Sequence, residues 1–525
     1  MDREERLGEF MRKISEEMAS GAIPDRESLS KRKRSLAKEL CLDRIPGNPE
    51  IIQAISGSGA LDESALELLW LKPSRSASGV AVVAVMTPPS PCPHGRCIYC
   101  PGGTSVGTPQ SYTGHEPAAM RGGEYGYDGH AQVVARLAQT KAIGHSIDKV
   151  DLIIMGGTFA SRPPDIQGQF VQSCLDAMNG RRSASLDEAI ASNERAPSRC
   201  IGLTIESRPD WSKETHVDLM LSYGTTRVEL GVQTLDQATL DRVKRSHTVE
   251  DTVDATRILK DSGLKVGYHL MPGLPGATIG SDLATFKQVF DDERFKPDLL
   301  KVYPTLVIEG TELYEMYERG EYRPYSTEEC VELLALVKRN VPKWVRISRI
   351  QRDIPVQYIA AGSKRSDLRN LVLSKLKDEG GNCNCIRCRE VGRVAAVKGE
   401  PELRVERYDS SGGEELFISV EDDGVLYGFA RLRFPSPLAH RPEIAGRDVA
   451  LIREIRVLGH SVPIGKRVDG RSQHTGLGMK LMNEAERLTV ERGCKHILVM
   501  SGIGVREYFR RLGYNLNGPY MEKTV

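Results

Sequence analysis

The stretch Pro91-Cys-Pro-His-Gly-Arg-Cys-Ile-Tyr-Cys-Pro-Gly-Gly103 decides how this chain is read. It sets Cys92, Cys97 and Cys100 at C-x4-C-x2-C, shortly after the apolar run Val80–Val85. Three thiolates on one loop bind three irons of a cubane cluster and leave the fourth iron without a protein ligand. An open iron can chelate the amino and carboxylate groups of S-adenosylmethionine. The competing reading, a tetrahedral zinc site, needs a fourth local ligand such as His94.

Outward from that loop, apolar runs alternate with helical stretches. Val80–Val85, Val150–Met155, Ile201–Ile205, Val228–Gly231, Val266–Leu270, Leu299–Tyr303 and Val345–Ile350 read as strands. Ala131–Ile143, Glu250–Lys260 and Thr327–Arg339 read as amphipathic helices between them. Nearly continuous apolar strands separated by helices predict an α/β fold: a parallel sheet with crossover helices, forming a barrel or part of one. In such folds functional residues gather at the C-terminal strand ends. Gly156, Gly157 and Thr158 end the second strand, and glycines there allow close backbone approach to a ligand. Glu206 follows the third strand, Gln233 the fourth with Arg245 beyond it, and His269 ends the fifth. Each alone reads equally well as a loop hydrogen-bonder. Together, behind a three-cysteine loop, they form a specific pattern.

The other segments are distinct. Residues 1–75 read as helices broken at Pro24, Pro46-Gly47 and Gly57-Ser58-Gly59, and they carry the basic run Lys31-Arg32-Lys33-Arg34. That run is either an RNA phosphate contact or a solvated helix face. Residues 76–370 hold the α/β pattern. Residues 371–398 form a linker with Cys383, Cys385 and Cys388 at C-x-C-x2-C, a candidate structural zinc site with a fourth ligand from elsewhere; the alternative is an unmetallated loop. Residues 399–525 read as an α+β unit with strands Phe417–Val420, Leu426–Phe434, Ile452–Leu458 and His496–Met500 and one strong helix, Met479–Arg492. Gln473-His-Thr-Gly-Leu-Gly478 opens that helix, followed by Met479 and Lys480. Its free N–H groups and helix dipole suit a pyrophosphate.

Composition sets the outer limits. A chain of 525 residues exceeds one compact core, and 40% hydrophobic with 27% charged residues is ordinary for a globular protein. The formal net charge of +1 makes any nucleic-acid contact a local affair. No apolar run approaches the roughly 20 residues that span a bilayer, and no signal-peptide core opens the chain, so no membrane partner and a cytoplasmic location are expected. The clustered cysteines fit metal binding better than a disulfide framework.

The cysteine loop with its strand-end residues resembles the radical S-adenosylmethionine superfamily. The resemblance implies a 4Fe–4S cluster on Cys92, Cys97 and Cys100, with Gly156, Gly157, Thr158, Glu206, Gln233, Arg245 and His269 holding the cofactor. The last 127 residues, with Arg453-Glu454-Ile455-Arg456-Val457, then Gln473, Gly476, Leu477 and Gly478, then Tyr508-Phe509, resemble the GNAT acetyltransferases. There the strand's backbone pairs with the pantetheine arm, and a Tyr-containing helix closes over the thioester. Glu454 and His460 are the candidate general bases, and Tyr508 the candidate donor to a leaving thiolate. Packing roles compete with each of these assignments.

The two halves in this order resemble the family of Elongator catalytic subunits, the tRNA wobble-uridine carboxymethyl synthases. Matching stretches include Lys72–Val85, Gln110–Pro117, Gly144–Lys149, Tyr303–Thr311, Gln351–Pro355 and Gly518–Tyr520. This resemblance implies that a 5′-deoxyadenosyl radical activates the methyl group of acetyl-CoA, which is then joined to carbon 5 of the anticodon uridine. It associates Lys149 with acetyl-CoA as a catalytic residue. It also implies a tRNA anticodon loop and stem as partner, an electron donor, and a homodimer or a larger Elongator-like assembly. The rival reading is a protein lysine acetyltransferase with a structural iron–sulfur domain; a non-catalytic RNA scaffold is a third.

Overall fold

The computed structural model describes residues 2–55, 68–69, 79–393, 400–459 and 476–525. Gln473 and His460 lie outside the described residues. Among those described, no helix is long and apolar enough to cross a membrane.

Seven strands form one parallel sheet in sequence order: β1 (Ala81–Met86), β2 (Lys149–Met155), β3 (Arg199–Ser207), β4 (Arg227–Gln233), β5 (Lys265–Leu270), β6 (Leu299–Val302) and β7 (Arg346–Ile350). Parallel neighbours need crossovers, and helices such as Gly129–Ala142, Val249–Asp261 and Thr327–Arg339 supply them. The result is an open half-barrel, with all seven expected strands present. Alternate residues of β2, Val150, Leu152 and Ile154, are fully buried, and the pairing Val83↔Leu152 keeps β1 and β2 level. The helix Leu368–Asp378 packs Leu368, Val372 and Leu376 into the half-barrel core and runs across the expected 370/371 boundary.

The second sheet also has seven strands: β8 (Glu402–Ser410), β9 (Gly413–Asp422), β10 (Val425–Phe434), β11 (Val449–Val457), β12 (His496–Val499), β13 (Asn515–Asn517) and β14 (Tyr520–Thr524), in order β13-β14-β12-β11-β10-β9-β8. Sequence reading expects four of these. It misses β8 because that edge strand is charged and half exposed, and misses the β13–β14 hairpin because both strands are short. The helix Leu477–Glu491 packs Leu481, Met482, Ala485 and Leu488 on this sheet.

The two sheets are joined through one continuous core: Leu451, Leu498, Met500 and Tyr520 of the C-terminal unit pack with half-barrel residues. Polar groups share the seam. Arg433 donates to Asp261 at 2.9 and 2.6 Å, and the Tyr520 hydroxyl donates to the Ser262 carbonyl at 3.1 Å.

At the N-terminus, the helices Arg3–Ala19, Arg26–Glu39 and Asn48–Ile55 gather Phe10, Ile14, Leu29, Leu36 and Ile51. The basic run does not make one cationic face. Lys33 is buried with its ammonium on Asn48, Arg32 pairs with Glu17 and Glu39, and Lys31 pairs with Glu27. Helical spacing points the four side chains in different directions, so the run does not form a single four-residue face.

Candidate functional site

The loop leaving β1 carries Cys92, Cys97 and Cys100; the latter two are buried and Cys92 is half-buried. Backbone bonds pin it, with the Ile98 N–H donating to the Val243 carbonyl and the Leu313 N–H to the Ile98 carbonyl. Cys100 Sγ accepts from the Ser111 N–H at 3.1 Å and from Gln110 Nε2 at 3.2 Å. Cys97 Sγ lies 3.1 Å from His94 Nε2 and accepts from Arg245 Nη1 at 3.8 Å. Cys92 Sγ lies 3.7 Å from Thr158 Oγ1. Burial, with Arg208 and Arg245 nearby, pushes His94 down to about 3, so its ring is neutral. Burial also pushes the Cys92 thiol up, against the opposing pull of the Thr158 hydroxyl.

The strand-end residues converge on the same space. Cys92, Cys100, Gly157, Thr158, Glu206, Gln233, Arg245 and His269 all line a cavity of about 980 Å³. Gly156 plays a different part from its neighbours. At φ +120°, a Cβ on it would lie 2.4 Å from Thr87 Oγ1, so glycine there lets β2 close against the cysteine loop. Arg245 is fixed by donating from Nη2 to the Gly231 carbonyl at 2.7 Å, a place only a glycine leaves open. Arg245 Nε and Arg208 Nη1 are buried without a hydrogen-bond partner, and both residues face the cavity. Such orphaned donors beside three thiols fit an anionic cofactor with a carboxylate.

Sequence reading missed a further group in this wall. Glu206 accepts from the Tyr112 hydroxyl at 3.0 Å and from Lys301 Nζ at 3.2 Å. Lys301 also pairs with Glu229, whose carboxylate meets His269 Nε2 at 2.9 Å. Burial opposes both charges, yet the Lys301 ammonium and the Glu229 carboxylate hold each other ionised. The signal was a charge inside each apolar strand, Arg227-Val-Glu229 and Leu299-Leu-Lys301.

The cavity continues to the second sheet, where Phe429, Arg431, Glu454, Arg456 and Leu458 line it. Glu454 does not have the setting of a general base. Although burial opposes its charge, Lys265 and Arg431 hold it at about 2, and Arg431 Nε donates to it at 3.0 Å. β11 pairs fully with β10 through Arg431↔Glu454, Ala430↔Ile455, Phe429↔Arg456 and Gly428↔Val457. Its pairing with β12 stops at Ile452↔Val499, and among the described residues the other edge of Glu454–Val457 has no strand partner. Gly476 caps the following helix at φ +85°. Gly478 sits where a Cβ would be 3.4 Å from the Tyr508 hydroxyl. Tyr508 is half-buried and its phenol is pushed up by burial. Phe509 is buried in the sheet's own core against Tyr514, a packing position. Leu477 packs on that core, whereas Met479 and Lys480 are exposed.

Lys149 opens β2, at the strand end away from the cysteine loop, and does not line the cavity. The linker cysteines are gathered: ligand atoms of Cys383, Cys385 and Cys388 lie within 4.8 Å of one another, as around a single ion. The neighbour found beside them is Lys338, whose Nζ donates to Cys388 Sγ at 3.6 Å.

Half-barrel, cysteine loop and open-edged second sheet define a radical S-adenosylmethionine domain fused to a GNAT-type domain. Family models agree: Radical SAM superfamily over residues 87–288, Radical_SAM C-terminal domain over 297–378, and Acetyltransferase (GNAT) family over 390–514. The chain is 48% identical to the tRNA uridine(34) acetyltransferase of Methanocaldococcus jannaschii, over 98% of this chain and 97% of that one. It is 41% identical to the Elongator complex protein 3 of Homo sapiens, over 99% of this chain and 96% of that one. The solved archaeal Methanocaldococcus infernus Elp3 with N-terminus deletion superposes with a TM-score of 0.76 at 46% identity, covering 85% of this chain and 99% of that chain. This chain belongs to the family of tRNA uridine(34) acetyltransferases and Elongator complex protein 3, and it is a transferase.

Proposed function

We propose that this chain modifies the wobble uridine of tRNA, adding a carboxymethyl group to carbon 5 with acetyl-CoA as the carbon source. The observation that carries the reading is the single cavity running from Cys92 and Cys100 to Glu454 and Arg456. Two half-reactions that share an intermediate need a common, water-poor chamber. Cys92, Cys97 and Cys100 would hold a 4Fe–4S cluster, and Arg245, Arg208, Gln233 and Thr158 would hold S-adenosylmethionine. Once bound, and given an external reductant, the cluster and S-adenosylmethionine would supply one-electron chemistry.

The chain's own residues position and shield. The Ser111 N–H and Gln110 amide orient Cys100, and the Arg245 guanidinium offsets negative charge at Cys97. The Tyr112–Glu206–Lys301–Glu229–His269 chain fixes the polar wall without leaving a free carboxylate to quench chemistry in the chamber. The open edge of Glu454–Val457 would pair with pantetheine, the turn at Gly476–Gly478 would take the pyrophosphate, and Tyr508 beside it would donate a proton to a thiolate. Cys383, Cys385 and Cys388 would hold zinc and tie the linker to the half-barrel. A nucleobase reaches such a chamber only when unstacked, which suits an anticodon loop in the cytoplasm. A protein lysine acetyltransferase would need its β10–β11 face open to a peptide, and here that face is turned to the half-barrel.

The test is anaerobic incubation of the reconstituted protein with reductant, S-adenosylmethionine, acetyl-CoA and unmodified tRNA, followed by nucleoside mass spectrometry. Carboxymethyluridine is expected. An acetylated protein substrate with unchanged tRNA would overturn the proposal.

A further inference from the structure

The cavity end remote from the cysteines carries more cations than its acids can pair. Arg227 faces Asp151, Arg346 and Arg393 share Glu390, and Arg431 takes Glu454 and Asp298. Arg387 and Arg456 line the same end, half-buried, and neither side chain makes a hydrogen bond or a close ion pair among the described residues. They come from different parts of the chain, one from the linker helix Ile386–Arg389 and one from β11, yet both feel Arg346 and Glu390. Beside them the linker and the second sheet approach closely, a Cβ on Gly392 standing 3.6 Å from the Gly459 Cα. Two half-buried guanidiniums line one cavity among further positive charge, and Glu390, the acid near both, is already shared by Arg346 and Arg393, so the end has room for an added anion.

We propose that Arg387 and Arg456 clamp a phosphodiester of the nucleic-acid substrate, next to the nucleotide that enters the cavity. The inference rests on the tRNA reading above and adds the site that holds the backbone. An RNA phosphate fits better than the phosphates of acetyl-CoA. The Gly476–Gly478 turn that suits a pyrophosphate opens the helix Leu477–Glu491 and does not line this cavity, whereas Arg387 and Arg456 line it together with half-barrel residues. Arginine forks also match phosphate oxygens two at a time, which fixes register without reading sequence.

The experiment uses the full-length protein and a synthetic anticodon stem–loop carrying unmodified uridine, with binding isotherms at several salt concentrations. Arg387→Gln and Arg456→Gln should each weaken binding by about tenfold. Each should also lower the log–log salt slope by about 0.7, the single-strand value for one lost phosphate contact. Arg387→Lys should keep the slope, since charge is retained. Acetyl-CoA affinity should not change in Arg387→Gln. Unchanged affinity and slope in both glutamine variants, while the wild type still modifies tRNA, would overturn this inference and leave the tRNA reading standing. Loss of acetyl-CoA affinity in Arg387→Gln with an unchanged RNA slope would assign the seam to the coenzyme and overturn it too. A wild-type protein that neither binds nor modifies the stem–loop would sink both.

Discussion

Arg453 of β11 and Asp298, just before β6, meet fully buried between the two domains, with Nη1 and Nη2 donating to the two carboxylate oxygens at 2.8 and 2.7 Å. Asp298 also accepts the Val266 N–H at 2.8 Å, so the same carboxylate anchors β5 and the GNAT sheet. Glu415 accepts from Nη2 at 2.8 Å, and the Leu264 carbonyl accepts from Nη1 at 2.9 Å. Burial opposes the Asp298 charge, but Arg453 and Arg431 hold the carboxyl well below its usual range. Removing Asp298 with Ala would strand a buried cation, at a cost of about 3–5 kcal/mol. Urea unfolding should show the loss in a single transition, because the domains share a core. Two separate transitions in the wild type would contradict that coupling.

Cys97→Ala should abolish the visible absorbance of the reconstituted cluster and tRNA modification together. Acetyl-CoA affinity should stay within about twofold of wild type, since that site lies in the other domain. Spectra, nucleoside analysis and calorimetry on one preparation check all three. Full modification by the variant would remove the cluster from the mechanism.

Gly476→Val tests the pyrophosphate turn. A Cβ there meets nothing within 4 Å, so the penalty is conformational: φ +85° is a left-handed backbone that valine resists by about 1–2 kcal/mol or more. We expect acetyl-CoA binding to fall at least tenfold while the half-barrel still binds S-adenosylmethionine. Tyr508→Phe, by contrast, should leave binding in place and slow turnover. Unimpaired acetyl-CoA binding in Gly476→Val would mean that the coenzyme site has been misplaced.

Asp282 gives a pH-dependent stability signal. Its carboxylate accepts the Tyr325 hydroxyl and the Gly273 N–H, both at 2.7 Å, and burial pushes it from 3.8 up to about 6. Between those values the folded state keeps a proton that the unfolded chain releases. The contribution is therefore full below about pH 4 and lost as pH rises to about 6. Asp282→Asn, which can still accept both bonds, should flatten this fall and gain up to about 3 kcal/mol above pH 6. Melting curves at pH 4 and pH 7 decide it: an equal difference at both would show that Asp282 does not titrate in this window.

Removing metal from the linker should matter to structure more than to chemistry. A chelator, or Cys385→Ala, should release bound zinc and lower the melting temperature by several degrees, because Cys385 is fully buried against the half-barrel core. Metal analysis before and after treatment checks the stoichiometry. A protein purified without zinc and equally stable would show that the three thiols pack unmetallated.

The sequence by itself determined the half-barrel, its seven strands, the cysteine loop and the order of the two domains. Those features are local: β-branched runs, helix periodicity and a fixed cysteine spacing can be read within a few turns of chain. It also determined which strand ends would face one another, because a parallel sheet puts them all on one edge. Only the tertiary structure decided the partners of charge. Glu206, Lys301, Glu229 and His269 come from β3, β6, β4 and β5, and their pairing depends on inward curvature that no single strand encodes. The basic run at Lys31–Arg34 looked free in sequence because its counter-ions, Glu17 and Glu39 among them, meet it only once the helices pack. Likewise Glu454, a plausible base in one dimension, loses basicity to the cations beside it, Lys265 of a different domain and Arg431, which also donates to it. Electrostatic pairing acts through space at a few ångströms, whereas sequence reports distance along the chain.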